Sequence, residues 1–126
     1  MAVTTNPYSQ YTNNKISTAS GEELTLMLYE GALKYTNQAI IAIENSDFDK
    51  ANNLIIRVED IIREFQVTLN NDYEISKEFN SMYDYMYRLL VDANVDKSVG
   101  PLNEVQGYLR EFRDSWKEAM KLVKNA

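Results

Sequence analysis

An all-α fold, an antiparallel up-down-up-down four-helix bundle with an irregular N-terminal arm, is the architecture that this 126-residue sequence predicts. Three observations carry the expectation. Apolar residues recur at spacings of three and four through four segments of similar length. The breaks between segments are short and built from Asn, Ser, Asp and Gly. Short connections between amphipathic helices make chain neighbours antiparallel, and four of them close a bundle. A long coiled-coil dimer would need heptads running through residues 45–47 and 70–73, and the pattern stops at both places.

Residues 1–20 hold a single charge, Lys15, among Asn, Ser, Thr, Gln and Tyr with Pro7, and read as an arm outside the bundle domain of residues 21–126. Ser20 with Glu23 forms a capping box, whose hydroxyl and carboxylate satisfy first-turn amides, so the first helix should run from Gly21 to about Glu44. It carries two adjoining stripes, Leu26, Tyr29, Leu33, Ile40 and Ile43 beside Leu24, Leu28, Gly31, Tyr35 and Ala42. This widest of the apolar arcs implies contact with more neighbours than the other helices make. After the turn Asn45, Ser46, Asp47, the last an N-cap, a second helix should span Phe48 to about Leu69 with Ala51, Leu54, Val58, Ile61, Phe65 and Leu69 inward. Asn70, Asn71 and Asp72 break the chain. The third helix is expected from about Ile75 to Ala93, burying Ile75, Phe79, Met82, Met86, Leu89 and Ala93. Pro101, suited to a first helical turn, opens a fourth that continues to about Lys124 with Leu102, Val105, Leu109, Phe112, Trp116, Ala119 and Val123 on one face.

The chain has no histidine and no cysteine. It therefore lacks the commonest general base near neutral pH, the thiolate nucleophile, disulfides and sulfur-ligated metals, and no enzymatic activity is expected. Carboxylate metal sites in bundles use inward Glu completed by His; here the inward positions are apolar, while Glu30, Glu59, Asp60, Glu64, Asp84 and Glu111 fall outside the stripes, Asp84 with Arg88 one turn on. Gly21, Gly31, Gly100 and Gly107 are isolated, so no glycine-rich phosphate loop is present. No catalytic residue, metal or cofactor is assigned. A net charge of -6 speaks against nucleic acid or anionic membrane as the main partner. The longest uncharged apolar stretch, Tyr35 to Ile43, is far below the roughly 20 residues of a membrane span, and the start lacks the pattern of a secretory signal. The protein reads as soluble, and absent cysteine is compatible with a reducing cytoplasm.

Two glycines lie inside helices, where each costs about 1 kcal/mol relative to Ala. Gly31, on an apolar stripe, reads as a point of close helix approach; Gly107 is ambiguous. Nine tyrosines against four phenylalanines and one tryptophan suit surfaces that are sometimes wet and sometimes covered. Tyr85 aligns with Ser81, Arg88 and Asp92, Ile41 with Glu30, Lys34 and Asn37, and Ile56 and Val67 with Asn53, Asp60 and Arg63. Ile41, Ile56, Val67 and Tyr85 are thus either a partner-binding surface or scattered apolar residues on polar faces. The arm poses the same choice: a disordered tail, or a cap that lays Tyr8, Tyr11 and Ile16 over an apolar groove until a partner displaces it.

Three ordered segments carry a family resemblance. Asn6-Pro7-Tyr8 with Tyr11, then Thr18-Ala19-Ser20 leading through Glu22-Glu23-Leu24 into Met27-Leu28-Tyr29-Glu30-Gly31-Ala32-Leu33, resembles the N-terminal signature of the flagellar secretion chaperones of the FliS family. Met82-Tyr83-Asp84-Tyr85-Met86 with Arg88-Leu89 and Asn94 is similar to its central motif, and Leu102, Val105, Leu109, Arg113 and Trp116 to its last helix. Gly21 departs from the Pro that often follows the capping Ser. The resemblance implies a cytoplasmic chaperone that binds the disordered C-terminal segment of flagellin, prevents its early polymerisation and delivers it to the flagellar type III export apparatus. It also implies an arm that covers client surface in the free protein, which is expected to be a monomer or weak dimer. Tyr8, Tyr11 and Ile16 are then arm contacts, and Ile41, Ile56, Val67 and Tyr85 client surface. A regulatory adaptor without an export role and a metal-dependent carboxylate enzyme are the rival expectations.

Overall fold

The computed structural model describes residues 21–69 and 75–124, and places there four helices: α1 (Gly21–Glu44), α2 (Phe48–Thr68), α3 (Ile75–Asp96) and α4 (Gly100–Lys124). The arm with Tyr8, Tyr11 and Ile16, the capping Ser20 and the break at residues 70–74 lie outside the described residues. The helices form a ring in which α1 packs on α2 and α4, and α3 on α2 and α4. Chain direction follows from the cross-helix pairs. Tyr29 meets Phe65 and Tyr35 meets Arg57; Phe65 meets Tyr83 and Asn52 meets Asn94; Phe79 meets Phe112 and Tyr85 meets Tyr108. In each seam one number rises as the other falls, so chain neighbours are antiparallel. Trp116, late in α4, donates its indole N–H to the carbonyl of Glu22 at the start of α1 at 2.9 Å, and closes the ring the same way. The architecture is the expected four-helix bundle.

Two turns of the chain rest on residues in left-handed conformation. Ser46 (φ 59°) ends α1: its amide donates to Ile43 O at 2.9 Å, and that of Asp47 to Ala42 O at 2.8 Å, which is the Schellman arrangement with Ser where Gly is usual. Asp47 then caps α2, accepting from the Lys50 amide at 3.3 Å. Lys97 (φ 51°) plays the same part after α3, with the Ser98 amide on Ala93 O. Its ammonium donates to the carbonyl and side-chain oxygens of Asn94, at 2.6 and 2.5 Å. That satisfies a carbonyl of the last turn and carries α3 through Asp96, past its expected end at Ala93. At α4 the Asn103 amide bonds Val99 O, so the helix starts one residue before Pro101, whose missing N–H still falls among first-turn amides that have no helical partner.

The buried core bears out Ala51, Leu54, Val58 and Phe65 of α2, Met86 and Ala93 of α3 and Leu102, Val105 and Leu109 of α4, whereas Ala119 is exposed and single positions of the α2 and α3 stripes shift by one residue. In α2 the positions beside Val58 are Ile55 and Ile62, both fully buried, with Ile61 half-buried; in α3 they are Tyr83, Met86 and Leu90, whereas Met82 and Leu89 are half-buried and Phe79 is exposed. The deepest line of α1 runs between its two expected stripes, through Tyr29, Ala32, Thr36, Ala39 and Ala42. Small side chains there let α1 approach α2 and α4 together. Thr36 is tolerated because its hydroxyl donates to Ala32 O at 2.7 Å, leaving no unmade hydrogen bond. At mid-core an aromatic layer crosses all four helices: Tyr29 lies 4.4 Å from Phe65, Phe65 5.5 Å from Tyr83, and Tyr83 5.8 Å from Phe112 between ring centroids. The Tyr29 and Tyr83 hydroxyls meet at 3.1 Å, and burial raises both phenol pKa values, keeping the pair neutral.

Candidate protein-binding groove

The four seams between helices are finished differently on their outer sides. Between α2 and α3 the closure is polar. Asn94 donates to Asn52 at 2.7 Å, the Arg63 guanidinium sits 3.7 Å from the centre of the Tyr87 ring, and Gln66 donates to Asp84 at 2.8 Å. Asp84 thus turns toward α2, where Arg63 also stands 3.6 Å away, and is more than a helix-surface partner of Arg88. Between α3 and α4 the hydroxyls of Tyr85 and Tyr108 converge on one oxygen of Glu104, at 2.5 and 3.4 Å, with the rings edge to face. The hydrogen bond to that carboxylate holds the Tyr85 phenol above its ordinary pKa.

The α1/α2 seam is the exception. Here, among the described residues, the second apolar stripe of α1 has no equivalent cover, and an open groove of about 770 Å³ runs along it. Leu24, Thr25, Met27, Leu28, Gly31, Lys34 and Tyr35 line one wall, Ile61, Glu64 and Thr68 the other, and Gly21 stands at one end. Leu24, Leu28, Gly31 and Tyr35 repeat at helical spacing, which aligns their side chains along one strip. The groove spans about four turns of α1, or roughly 20 Å at 1.5 Å per residue. Arg57 lies 5.4 Å from the Tyr35 ring centre and closes the far end. The wide arc of α1, read from sequence as a sign of additional neighbours, instead leaves apolar surface uncovered: α1 has two principal neighbours, as the other helices do. Gly31 is likewise not a close-approach glycine, since a Cβ built there would meet only Ile61 Cδ1, at 3.9 Å.

The four surface residues singled out in the sequence occupy three helices. Ile41, Ile56 and Val67 are exposed, at 48%, 41% and 79% of their area, Ile41 on α1 and the other two on the outward side of α2, three turns apart. Tyr85 is half-buried in the α3/α4 closure. None of them lines the groove. Phe48, Val91, Val95 and Leu122 are further exposed apolar residues that periodicity had placed on no surface. The α2/α3 seam brings some of these together: Ile56 is one turn from Asn52 and Val91 one turn from Asn94 in the same direction, so the two flank each other beside the Asn52–Asn94 bridge.

The groove combines aliphatic and aromatic side chains with Thr25, Lys34, Glu64 and Thr68, an apolar site carrying a few polar groups. Among the described residues no group of three or more acidic side chains is placed to hold a metal ion, and no helix is long and apolar enough to cross a membrane. Fold and site together define a four-helix bundle with an apolar groove on its surface. Comparison with known proteins places it further: residues 4–123 match the family described as flagellar protein FliS, and the chain belongs to that family. The flagellar secretion chaperone FliS of Bacillus subtilis is 49% identical over 115 residues, covering 91% of this chain and 86% of the relative. Those of Escherichia coli and Campylobacter jejuni are each 28% identical, over 120 and 113 residues, with 88% of either relative covered. These relatives are chaperones, and the chain is a member of a chaperone family, not an enzyme.

Proposed function

We propose that this chain is a cytoplasmic export chaperone that holds the disordered C-terminal segment of flagellin, keeps it from polymerising and hands it to the flagellar type III export apparatus. Membership of the FliS family supports the chaperone role; the observation that carries the binding mode is the uncovered apolar strip Leu24, Leu28, Gly31 and Tyr35 facing Ile61. An amphipathic segment lays its apolar face into such a groove and is read at i, i+3, i+4 spacing. Its ordering opposes binding by several kcal/mol, which a long wrapped contact offsets. Ile41, Ile56, Val67 and Tyr85 extend the client surface beyond the groove, so the client wraps the bundle across several helices. The arm, through Tyr8, Tyr11 and Ile16, covers apolar surface in the free protein, which is a monomer or weak dimer.

Calorimetric titration with an isolated flagellin C-terminal peptide tests the proposal. Binding in the micromolar range or tighter, with a negative heat-capacity change from buried apolar area, is expected; no binding at micromolar concentrations would sink it and leave an adaptor for some other protein. Deleting residues 1–17 should leave the bundle folded and alter client affinity, and an unaltered affinity removes the covering role of the arm.

A further inference from the structure

Gly31 stands in the middle of α1, where glycine weakens a helix, yet nothing among the described residues requires it. Its φ is not positive, so the backbone freedom of glycine is unused. A methyl group there would find room, its nearest neighbour being the Ile61 Cδ1 at an ordinary 3.9 Å. Close packing of α1 on α2 is achieved by other residues, Ala32, Ala39 and Ala42, which are buried where Gly31 is only half-buried. What Gly31 does is interrupt the strip of large side chains: Leu28 precedes it by three residues, Tyr35 follows by four, and Ile61 stands opposite. The result is a notch in the floor of the groove, bounded by bulky side chains on three sides. A hole of this kind between residues three and four apart on a helix is what receives a single knob from a partner helix.

We propose that Gly31 is a specificity-determining residue of the groove: its missing side chain forms the socket for one large apolar side chain of the bound client helix. The inference rests on the chaperone reading and goes beyond it, since a client could bind the same groove without using position 31. A side chain at 31 fills the socket from the protein's own side, so the client's anchor is excluded. Substitution therefore separates two properties that normally fall together, raising stability while lowering affinity. Gly107 provides an internal control, because it is also a mid-helix glycine with no atom within 4 Å of a built Cβ, and it lies on α4 away from the groove.

The experiment measures thermal midpoint and affinity for the flagellin C-terminal peptide in the full chain, its Gly31→Ala and Gly31→Leu variants, and Gly107→Ala. Both alanine variants should melt higher, by about 3 °C. Gly31→Ala should bind the peptide about tenfold more weakly and Gly31→Leu more weakly still, whereas Gly107→Ala should bind like the parent. Peptide binding by the parent that is unchanged in Gly31→Ala overturns the socket and leaves the chaperone reading standing. A lower melting point for Gly31→Ala also overturns it, since glycine would then be serving the packing of the bundle. Absence of binding by the parent itself overturns the chaperone reading on which the socket rests.

Discussion

Helix α2 has two neighbours, and its two seams are finished in opposite ways. Toward α3 the outer edge is laced by Asn52–Asn94, Arg63–Tyr87 and Gln66–Asp84, groups that meet one another across the seam, with Ile56 and Val91 exposed beside them. Toward α1 the outer edge is the groove, whose apolar residues are half-buried beside Thr25, Lys34, Glu64 and Thr68, with Arg57 over Tyr35. The difference shows how a small acidic bundle can be both stable and adhesive. The laced seam is saturated: its polar groups are paired, and a second helix laid over it would have to desolvate them. The open seam keeps several large side chains half in water, where further burial is worth about 25 cal/mol per Å² of apolar surface.

The strongest way to break the comparison is to remove the residue on which both seams depend. Phe65 is 5% exposed and touches Tyr29 of α1 and Tyr83 of α3. Phe65→Ala should destabilise the bundle by about 3–5 kcal/mol in urea unfolding, and loosen the two seams alike. A smaller and more informative loss is expected within the same layer. Tyr29→Phe or Tyr83→Phe alone strands a buried hydroxyl and should destabilise by about 1–3 kcal/mol, while the double variant should lose much less than the sum of the two. Simple additivity would mean that the 3.1 Å hydroxyl pair is not coupled.

How far the sequence discloses this comparison depends on which side chains set it. The element bounds are legible because caps and turn residues are local: Asp47 caps α2, and the Asn45-Ser46-Asp47 turn ends α1 where its composition changes. The core faces are legible only to within one residue. Leu89 and Leu90, or Ile61 and Ile62, are alike in hydropathy, and which one turns fully inward is decided by the neighbouring helix, as Leu90 and Ile62 show. Thr36 reads as polar in a pattern and is buried all the same, because its hydroxyl finds a partner in its own helix. The groove was present in the sequence as the excess width of the α1 arc. Whether that excess meets a neighbour or stays open is a property of the ring of four helices, which periodicity along one helix does not contain. Exposure of Ile41, Ile56 and Val67 was legible since each sits among charged residues; the engagement of Tyr85 with Glu104 and Tyr108 depends on a helix nineteen or more residues away.

On the laced seam, Arg63→Ala removes the guanidinium from the Tyr87 ring and from Asp84 and Gln66. These side chains are largely exposed, so the expected loss is about 0.5–1 kcal/mol, with client affinity falling less than in a groove variant such as Gly31→Leu. An affinity loss as large as that of the groove variant would put the main binding contacts on the laced seam and erase the functional contrast between the two.

Glu59 gives the smallest effect and the sharpest sign. It shares the α3-facing side of α2 with Asn52, Arg63 and Gln66, and is half-buried there. Burial raises its carboxyl pKa, the charge of Asp60 raises it further, and Arg63 opposes both. A folded-state pKa above the unfolded one means that the folded chain binds the proton more readily, so this residue favours folding most in acid, below the unfolded pKa. That contribution is lost as the pH rises through the folded pKa. At neutral pH the ionised carboxylate is therefore a small burden on the laced seam. Glu59→Gln, which keeps the shape and discards the charge, should raise the thermal midpoint slightly at pH 7 and give no gain at pH 3, where the parent side chain is protonated in both states. Equal gains at the two pH values would place the benefit in helix propensity or packing, and the raised carboxyl would have no part in it.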